Sequence, residues 1–232
     1  MPISLPLLLL GPIIITAGNV FLRPLTPKYL KEKSRMKWRA TFISRLNAAI
    51  TGVWAVVALC DSEVVRLDLL YGVSSMARAC LTFSYGVHAG ELVEMMLTSQ
   101  YSMLTWHHVG SVLCITVILN YNIAIGFCIL CLTTEINAVF NKTRILHLIT
   151  QLDRESFTFK VNARINIFTY FLRVAIVFWM HGKSLQYFME NPNLFFCMCF
   201  ITNTFLNLWN IQCLKTLIQK DIIRKTKIDI AY

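Results

Sequence analysis

Residues 105–141 read TWHHVGSVLCITVIL, then NYN, then IAIGFCILCLTTEINAVFN. A membrane-crossing helix needs about 20 mostly apolar residues. This stretch is too long for one crossing. Asn120-Tyr121-Asn122 is its one polar interruption, and it predicts a tight turn between two spans, 105–119 and 123–141. Five other apolar runs, at 3–22, 40–60, 74–97, 165–181 and 194–214, bring the expected count to seven. Read as a single helix, the 105–141 stretch would leave six.

Charge decides between six and seven. Arg23, Lys28, Lys31, Lys33, Arg35, Lys37 and Arg39 follow the first run. Lys142, Arg144, Arg154, Lys160 and Arg164 follow the fifth, and Lys215, Lys220, Arg224, Lys225 and Lys227 follow the last. With seven spans all three groups fall on one side, as the positive-inside rule requires; with six they fall on both. The expected orientation has the N-terminus outside and the C-terminus cytosolic. The opposite loops carry Arg66 and Lys183 against Asp61, Glu63, Asp68 and Glu190.

Composition agrees. The chain has 232 residues, 56% hydrophobic and 15% charged, with a formal net charge of +10. Mean hydropathy is +0.58. Soluble domains carry about 25% charged residues. Disorder is excluded by the apolar content, and nucleic acid is not an expected partner, because the positive charge tracks the loops of one face. The first run lacks a basic flank and a small-residue cleavage site, so it is read as a retained helix. The sequon Asn141-Lys142-Thr143 falls at the cytosolic end of span five, where it should stay unmodified. The eight cysteines lie mostly within apolar runs and read as packing residues; Cys128 and Cys131 have no second pair to complete a zinc site. The expected organisation is a first helix with a basic linker at 1–37, a six-span domain at 38–220 and a basic tail at 221–232.

Ionisable groups inside spans are costly and point to function. They are Arg45, Arg78, His88, Glu91, Glu94, His107, His108, Glu135 and Arg173, with Asn203, Asn207 and Asn210 in the last span. In an antiparallel pair, residues equidistant from the turn share a depth. His107/His108 pair with Glu135 about Tyr121, Glu91 with His107 about Ser99, and Arg45 with Glu91 about Asp68. Glu135 pairs with Arg173 about Arg154, and Arg173 with Asn207 about Glu190. Spans two to seven thus put polar groups at one level, good to a turn of ~5 Å. Arg78, near the outer end of span three, should snorkel. The expectation is an all-α polytopic bundle with a polar, cytosol-facing chamber above an apolar interior such as Trp54–Leu59. That shape suits a lipid, headgroup at the mouth and acyl chain below. The competing reading is that these groups pair only to hold the bundle together.

Adjacent histidines point about 100° apart on a helix, so both reach a cavity only at its wide mouth. Imidazole serves as base, nucleophile or proton relay near neutral pH. Glu135 or Glu91 would orient one ring. Metal binding is not expected, because neighbouring histidines chelate poorly. Asn137, Asn141 and Arg144 share one face of span five, opposite Glu135. Gly86 and Gly90 form a GxxxG, a close-packing signal.

These residues resemble the TLC domain family. The likeness rests on Tyr85-Gly86-Val87-His88-Ala89-Gly90-Glu91-Leu92, Leu104-Thr105-Trp106-His107-His108-Val109-Gly110, Thr134-Glu135-Ile136-Asn137-Ala138-Val139-Phe140, Tyr170-Phe171-Leu172-Arg173-Val174 and Asn207-Leu208-Trp209. Trp-His-His, Thr-Glu-Ile-Asn-Ala-Val-Phe and Phe157-Thr158-Phe159-Lys160-Val161-Asn162 resemble most the calfacilitin-like branch, TLC domain-containing proteins one and two. That resemblance implies control of phospholipid fatty acids, particularly of phosphatidylethanolamine, and of membrane fluidity, at the plasma membrane; the endoplasmic reticulum is the alternative. It implies His107, His108 and Glu135 as catalytic candidates, and Arg45, His88, Glu91, Asn137, Arg173 and Asn207 around a lipid substrate. Acyl transfer would use acyl-CoA as co-substrate, with Arg45 or Arg173 neutralising its phosphates. Two alternatives stay open: ceramide synthase-like N-acylation, and a non-enzymatic channel facilitator or secretory chaperone. Ceramide synthases carry further aspartates after the histidine pair, where this chain has the single Glu135. Glu91 stands where relatives in the family usually have Asp, and Asn47 where many have His.

Overall fold

The computed structural model describes residues 4–97, 103–190, 192 and 194–223. Ser99, expected at the centre of one link, and the tail from Arg224 lie outside the described residues. Every described element is a helix: α1 (Leu5–Phe21), α2 (Glu32–Asp61), α3 (Glu63–Leu67), α4 (Ser75–Leu97), α5 (Met103–Tyr121), α6 (Ile125–Thr133), α7 (Glu135–Ile149), α8 (Phe157–Glu190) and α9 (Leu194–Ile218), which continues as a π turn to Ile223. Contacts divide the chain into two units, 1–153 and 154–232. By length and apolar content, α2 and α8 qualify among the described residues as membrane-crossing helices; α1 is also apolar but has 17 residues.

The Asn-Tyr-Asn turn forms where it is expected. α5 ends at Tyr121, and Asn122 and Ala124 take left-handed backbone at φ 53° and 60°. Asparagine tolerates that region; alanine pays about 1 kcal/mol for it. The loop before α4 compensates, since Leu69 and Leu70 accept from the amides of Phe127 and Ala124 and satisfy the start of α6.

The expected fifth span is two helices. Thr134 separates α6 from α7, and the hydroxyls of Thr133 and Thr134 donate back to Leu130 O at 2.6 Å and Cys131 O at 2.7 Å. Such back-bonding bends helices. Three helices overrun their apolar windows: α2 begins at Glu32, α7 runs to Ile149 and α8 spans 157–190. Apolarity marks the part that can sit in lipid, whereas helical hydrogen bonding continues into the basic flanks.

Within the first unit, α4 and α7 pair antiparallel with α2, and α5 with α4. α4 runs antiparallel to α2, with Cys80 Sγ 4.0 Å from Thr51 O at one end and Ser44 against Glu91 at the other. α5 is antiparallel to α4, with Arg78 beside Leu119 O and His108 beside Glu91. α7 is antiparallel to α2, with Ile136 on Gly52 and Lys142 on Ser44. α1 is parallel to α4. A Cβ on Gly86 would lie 2.1 Å from Leu8 O, one on Gly90 would lie 3.3 Å from the Pro12 Cα, and Asn19 donates to Glu94 at 3.0 Å. The GxxxG motif is therefore the groove in which α1 lies.

The apolar half of this unit centres on Ala55, Ala58, Leu81, Ile118, Ile125 and Ile129. Arg78 does not snorkel. It is 9% exposed and its Nη1 donates to Leu119 O at 3.5 Å, at the C-terminal end of α5, where cations are favoured. Arg66 does the same for α2, donating to the carbonyls of Leu59 and Cys60.

In the second unit α8 and α9 pair antiparallel. Asn203 donates to Ser184 Oγ at 2.8 Å and Asn207 to Val177 O at 3.3 Å. His181 stacks on Phe200 with centroids 4.6 Å apart.

Candidate functional site

Three imidazoles gather on α4 and α5. Ring centroids of His88 and His108 lie 5.2 Å apart, those of His107 and His108 5.7 Å, and those of His88 and His107 6.3 Å. His88 and His108 are buried at 9% and 4% exposure. His107 is half-buried and the neighbouring Trp106 is exposed. Both adjacent histidines thus turn to one side of α5, while Trp106 faces away. His88 sits one turn N-terminal to Glu91 on α4, and its Nδ1 donates to Ser84 O at 2.8 Å. That bond fixes its ring orientation.

Glu91 is the carboxylate of the cluster. Its Oε2 lies 3.4 Å from His108 Nε2, and its Oε1 accepts from Ser44 Oγ at 2.6 Å. Ser44 Oγ in turn accepts from Lys142 Nζ. α2, α4, α5 and α7 each give one member to this chain of contacts. The surroundings are apolar and helical, so each bond is made in a low-dielectric setting where an unpaired polar group is costly. His108 Nδ1 is buried with no hydrogen-bond partner, and so are both amide atoms of Asn47, which is 1% exposed and one turn beyond Ser44 on α2.

Glu91 meets His108 rather than His107, one position from the symmetry expectation, and Ser44 rather than Arg45. Other expected members stand apart. Glu135 is the half-buried first residue of α7 and makes no side-chain hydrogen bond or ion pair among the described residues. The break at Thr134 sets it at a helix start. Arg45 lies over the Phe42 ring at 4.6 Å. Its other neighbour is His147, whose imidazole is held below its ordinary value, first by burial and then by the Arg45 charge. Asn137 is buried on α7. Arg173 and Asn207 belong to the second unit. Arg173 lies over Tyr170 at 6.0 Å, and Asn207 is buried, bonded to Val177 O and Asn203 O. Asn207 thus sits opposite Val177, one turn from Arg173. Among the described residues no three His, Cys, Asp or Glu side chains are grouped to hold a metal ion.

Sequence reasoning missed Ser44, Lys142 and Asn19. Lys142 reads only as a flanking charge, and equidistance from the turns takes in the ionisable groups and Asn207 but neither hydroxyls nor the first span. Extended to hydroxyls, symmetry about Asp68 pairs Ser44 with Leu92, one residue from Glu91, so the signal was present.

No family model matches the chain. Curated relatives do. TLC domain-containing protein 2 of Danio rerio is 28% identical over 152 residues, covering 64% of this chain and 61% of that protein. TLC domain-containing protein 2 of Mus musculus is 26% identical over 67% of this chain and 50% of its own length. TLC domain-containing protein 1 of Mus musculus is 23% identical over 65% and 62%. The chain is a homologue of TLC domain-containing proteins 1 and 2. The matches span about half to three-fifths of these relatives.

Proposed function

We propose that this chain is a seven-span integral membrane protein that sets the fatty-acid composition of phospholipids, phosphatidylethanolamine foremost, and with it membrane fluidity. The N-terminus faces outward and the C-terminus the cytosol, at the plasma membrane. The chemistry is acyl transfer. An acyl group leaves the sulfur of acyl-CoA for a hydroxyl of a lysophospholipid; a new C–O bond forms, the C–S bond breaks, and one imidazole of the His107/His108 pair takes the hydroxyl proton and returns it to the departing thiolate. Arg45 and the basic flank of α2 receive the phosphates of the incoming thioester. Glu135 and Asn137 line the lipid's path.

One observation carries this reading: three imidazoles and a carboxylate lie together in an apolar helical unit, where structural packing alone would favour apolar side chains. The TLC homology supports the lipid class.

The test is the lipid profile of cells expressing the wild type, the His107→Ala/His108→Ala double variant, or neither, at matched protein levels. A shift in phosphatidylethanolamine acyl chains that disappears in the double variant is expected. A shift that persists in it overturns histidine chemistry, and a shift confined to ceramides overturns the choice of substrate.

A further inference from the structure

We infer that Lys142 and Ser44 are positioning residues that fix which nitrogen of His108 is basic. The inference rests on the acyl-transfer reading only for its use of that nitrogen.

Hydrogen-bond direction fixes each step. An ammonium group has donors and no acceptor, so Lys142 Nζ must donate to Ser44 Oγ. The single hydroxyl hydrogen of Ser44 is then left for its other partner, Glu91 Oε1, 2.6 Å away. That makes Glu91 an acceptor. Its second oxygen faces His108 Nε2 at 3.4 Å, an ion-pair separation at which an acceptor-only carboxylate favours the tautomer with the proton on that nitrogen. His108 is thereby held with its proton on Nε2. Its lone pair falls on Nδ1, the buried ring nitrogen that has no hydrogen-bond partner in the protein. A carboxylate behind an imidazole is the usual way proteins set tautomer and orientation together.

His88 is held the opposite way. Its Nδ1 donates to Ser84 O at 2.8 Å, so its lone pair lies on Nε2. The two rings, 5.2 Å apart, therefore present different nitrogens as bases. Lys142 has a role beyond marking the cytosolic flank of its helix: its charge polarises a path that crosses α7, α2 and α4 and ends on α5. The path leaves one atom, His108 Nδ1, to take the proton of a substrate hydroxyl.

The experiment is long-range ¹⁵N–¹H correlation spectroscopy of the full chain labelled with ¹⁵N-histidine in lipid nanodiscs at neutral pH. The chain has five histidines, and loss of signals in His108→Gln and His88→Gln assigns the two that matter. His108 should show the Nε2–H tautomer in roughly tenfold excess, and Lys142→Met or Ser44→Ala should cut that to about twofold, the difference expected between a charge-assisted and a neutral hydrogen bond. Lys142→Arg, which keeps the donor charge, should restore the excess. His88 should stay Nδ1–H in all variants, which also reports that the fold persists. A wild-type His108 carrying its proton on Nδ1 overturns the inference, as does an unchanged ratio in Lys142→Met and Ser44→Ala with intact His88 signals. A lipid profile indifferent to both histidines would remove the acyl-transfer reading and leave the tautomer result standing.

Discussion

Ser44 and Glu91 stand 47 positions apart in the chain and 2.6 Å apart in space. The bond ties α2 to α4 at the level of the three imidazoles. Glu91 also faces His108, and Lys142 reaches the same serine from α7. Four helices therefore meet through one buried carboxylate, which gives Glu91 a structural weight that neither histidine of the pair has.

Glu91→Ala should accordingly be the most disruptive single change in the cluster. It strands the Ser44 hydroxyl and His108 Nε2 without their acceptor and leaves Lys142, still bonded to Ser44, without the nearby counter-charge. Removing one partner of a buried charged pair costs about 3–5 kcal/mol. Glu91→Gln keeps a carbonyl for Ser44 and turns an NH₂ to His108, whose ring can meet it with a lone pair by changing tautomer, so its loss should be smaller. Thermal unfolding of the purified protein in one detergent checks the order: wild type above Glu91→Gln above Glu91→Ala. Equal midpoints for all three would show that the cluster is not a structural tie.

Much of this was legible because membrane helices obey few rules strongly. Their apolar runs gave the long helices, and the turn at Asn120-Tyr121-Asn122 placed the junction of α5 and α6. Equidistance from turns brought Glu91 to His108 within one residue, since α4 and α5 run antiparallel. The break before Glu135 was not legible. Thr133 and Thr134 sit in an apolar run like any other pair, with no glycine or proline to mark the interruption where their hydroxyls bond back to Leu130 O and Cys131 O. Glu135, equidistant with His107/His108 from Tyr121, makes no bond to them, and its neighbour Ile136 packs on Gly52 of α2. The part played by Lys142 was hidden for another reason. A long, flexible cation at a span boundary reads as topology, whereas its ammonium can turn inward to a hydroxyl one helix away.

The packing of α1 on α4 predicts a sharp contrast between two glycines. A Cβ on Gly86 would come within 2.1 Å of the backbone oxygen of Leu8, and a backbone atom cannot swing aside. A Cβ on Gly110 of α5 would meet nothing within 4 Å. Gly86→Ala should therefore force α1 outward and destabilise by about 1–3 kcal/mol, the usual cost of overpacking. Gly110→Ala should be neutral or slightly stabilising, since alanine gains up to about 1 kcal/mol over glycine in a helix. Thermal midpoints and the yield of folded protein distinguish them, and a Gly86→Ala variant as stable as Gly110→Ala would show that α1 does not rest on the α4 groove.

His147 gives the pH dependence a sign. It lies beyond the apolar run of its helix, and burial, then the charge of Arg45, hold its imidazole below the ordinary 6.5. The folded chain thus takes up this proton at a lower pH than the unfolded chain does. Above pH 6.5 both states leave the ring neutral and its contribution to stability is whole. As the pH falls through 6.5 the unfolded state binds the proton first, and the contribution is lost down to the folded value. Removing the ring removes the linkage. Unfolding midpoints measured at about pH 7.5 and about pH 5.5 should fall further for the wild type than for His147→Asn. Arg45→Gln should lie between them, because it lifts the second cause and leaves the first. Parallel declines in wild type and His147→Asn would mean that the acid sensitivity arises elsewhere in the chain.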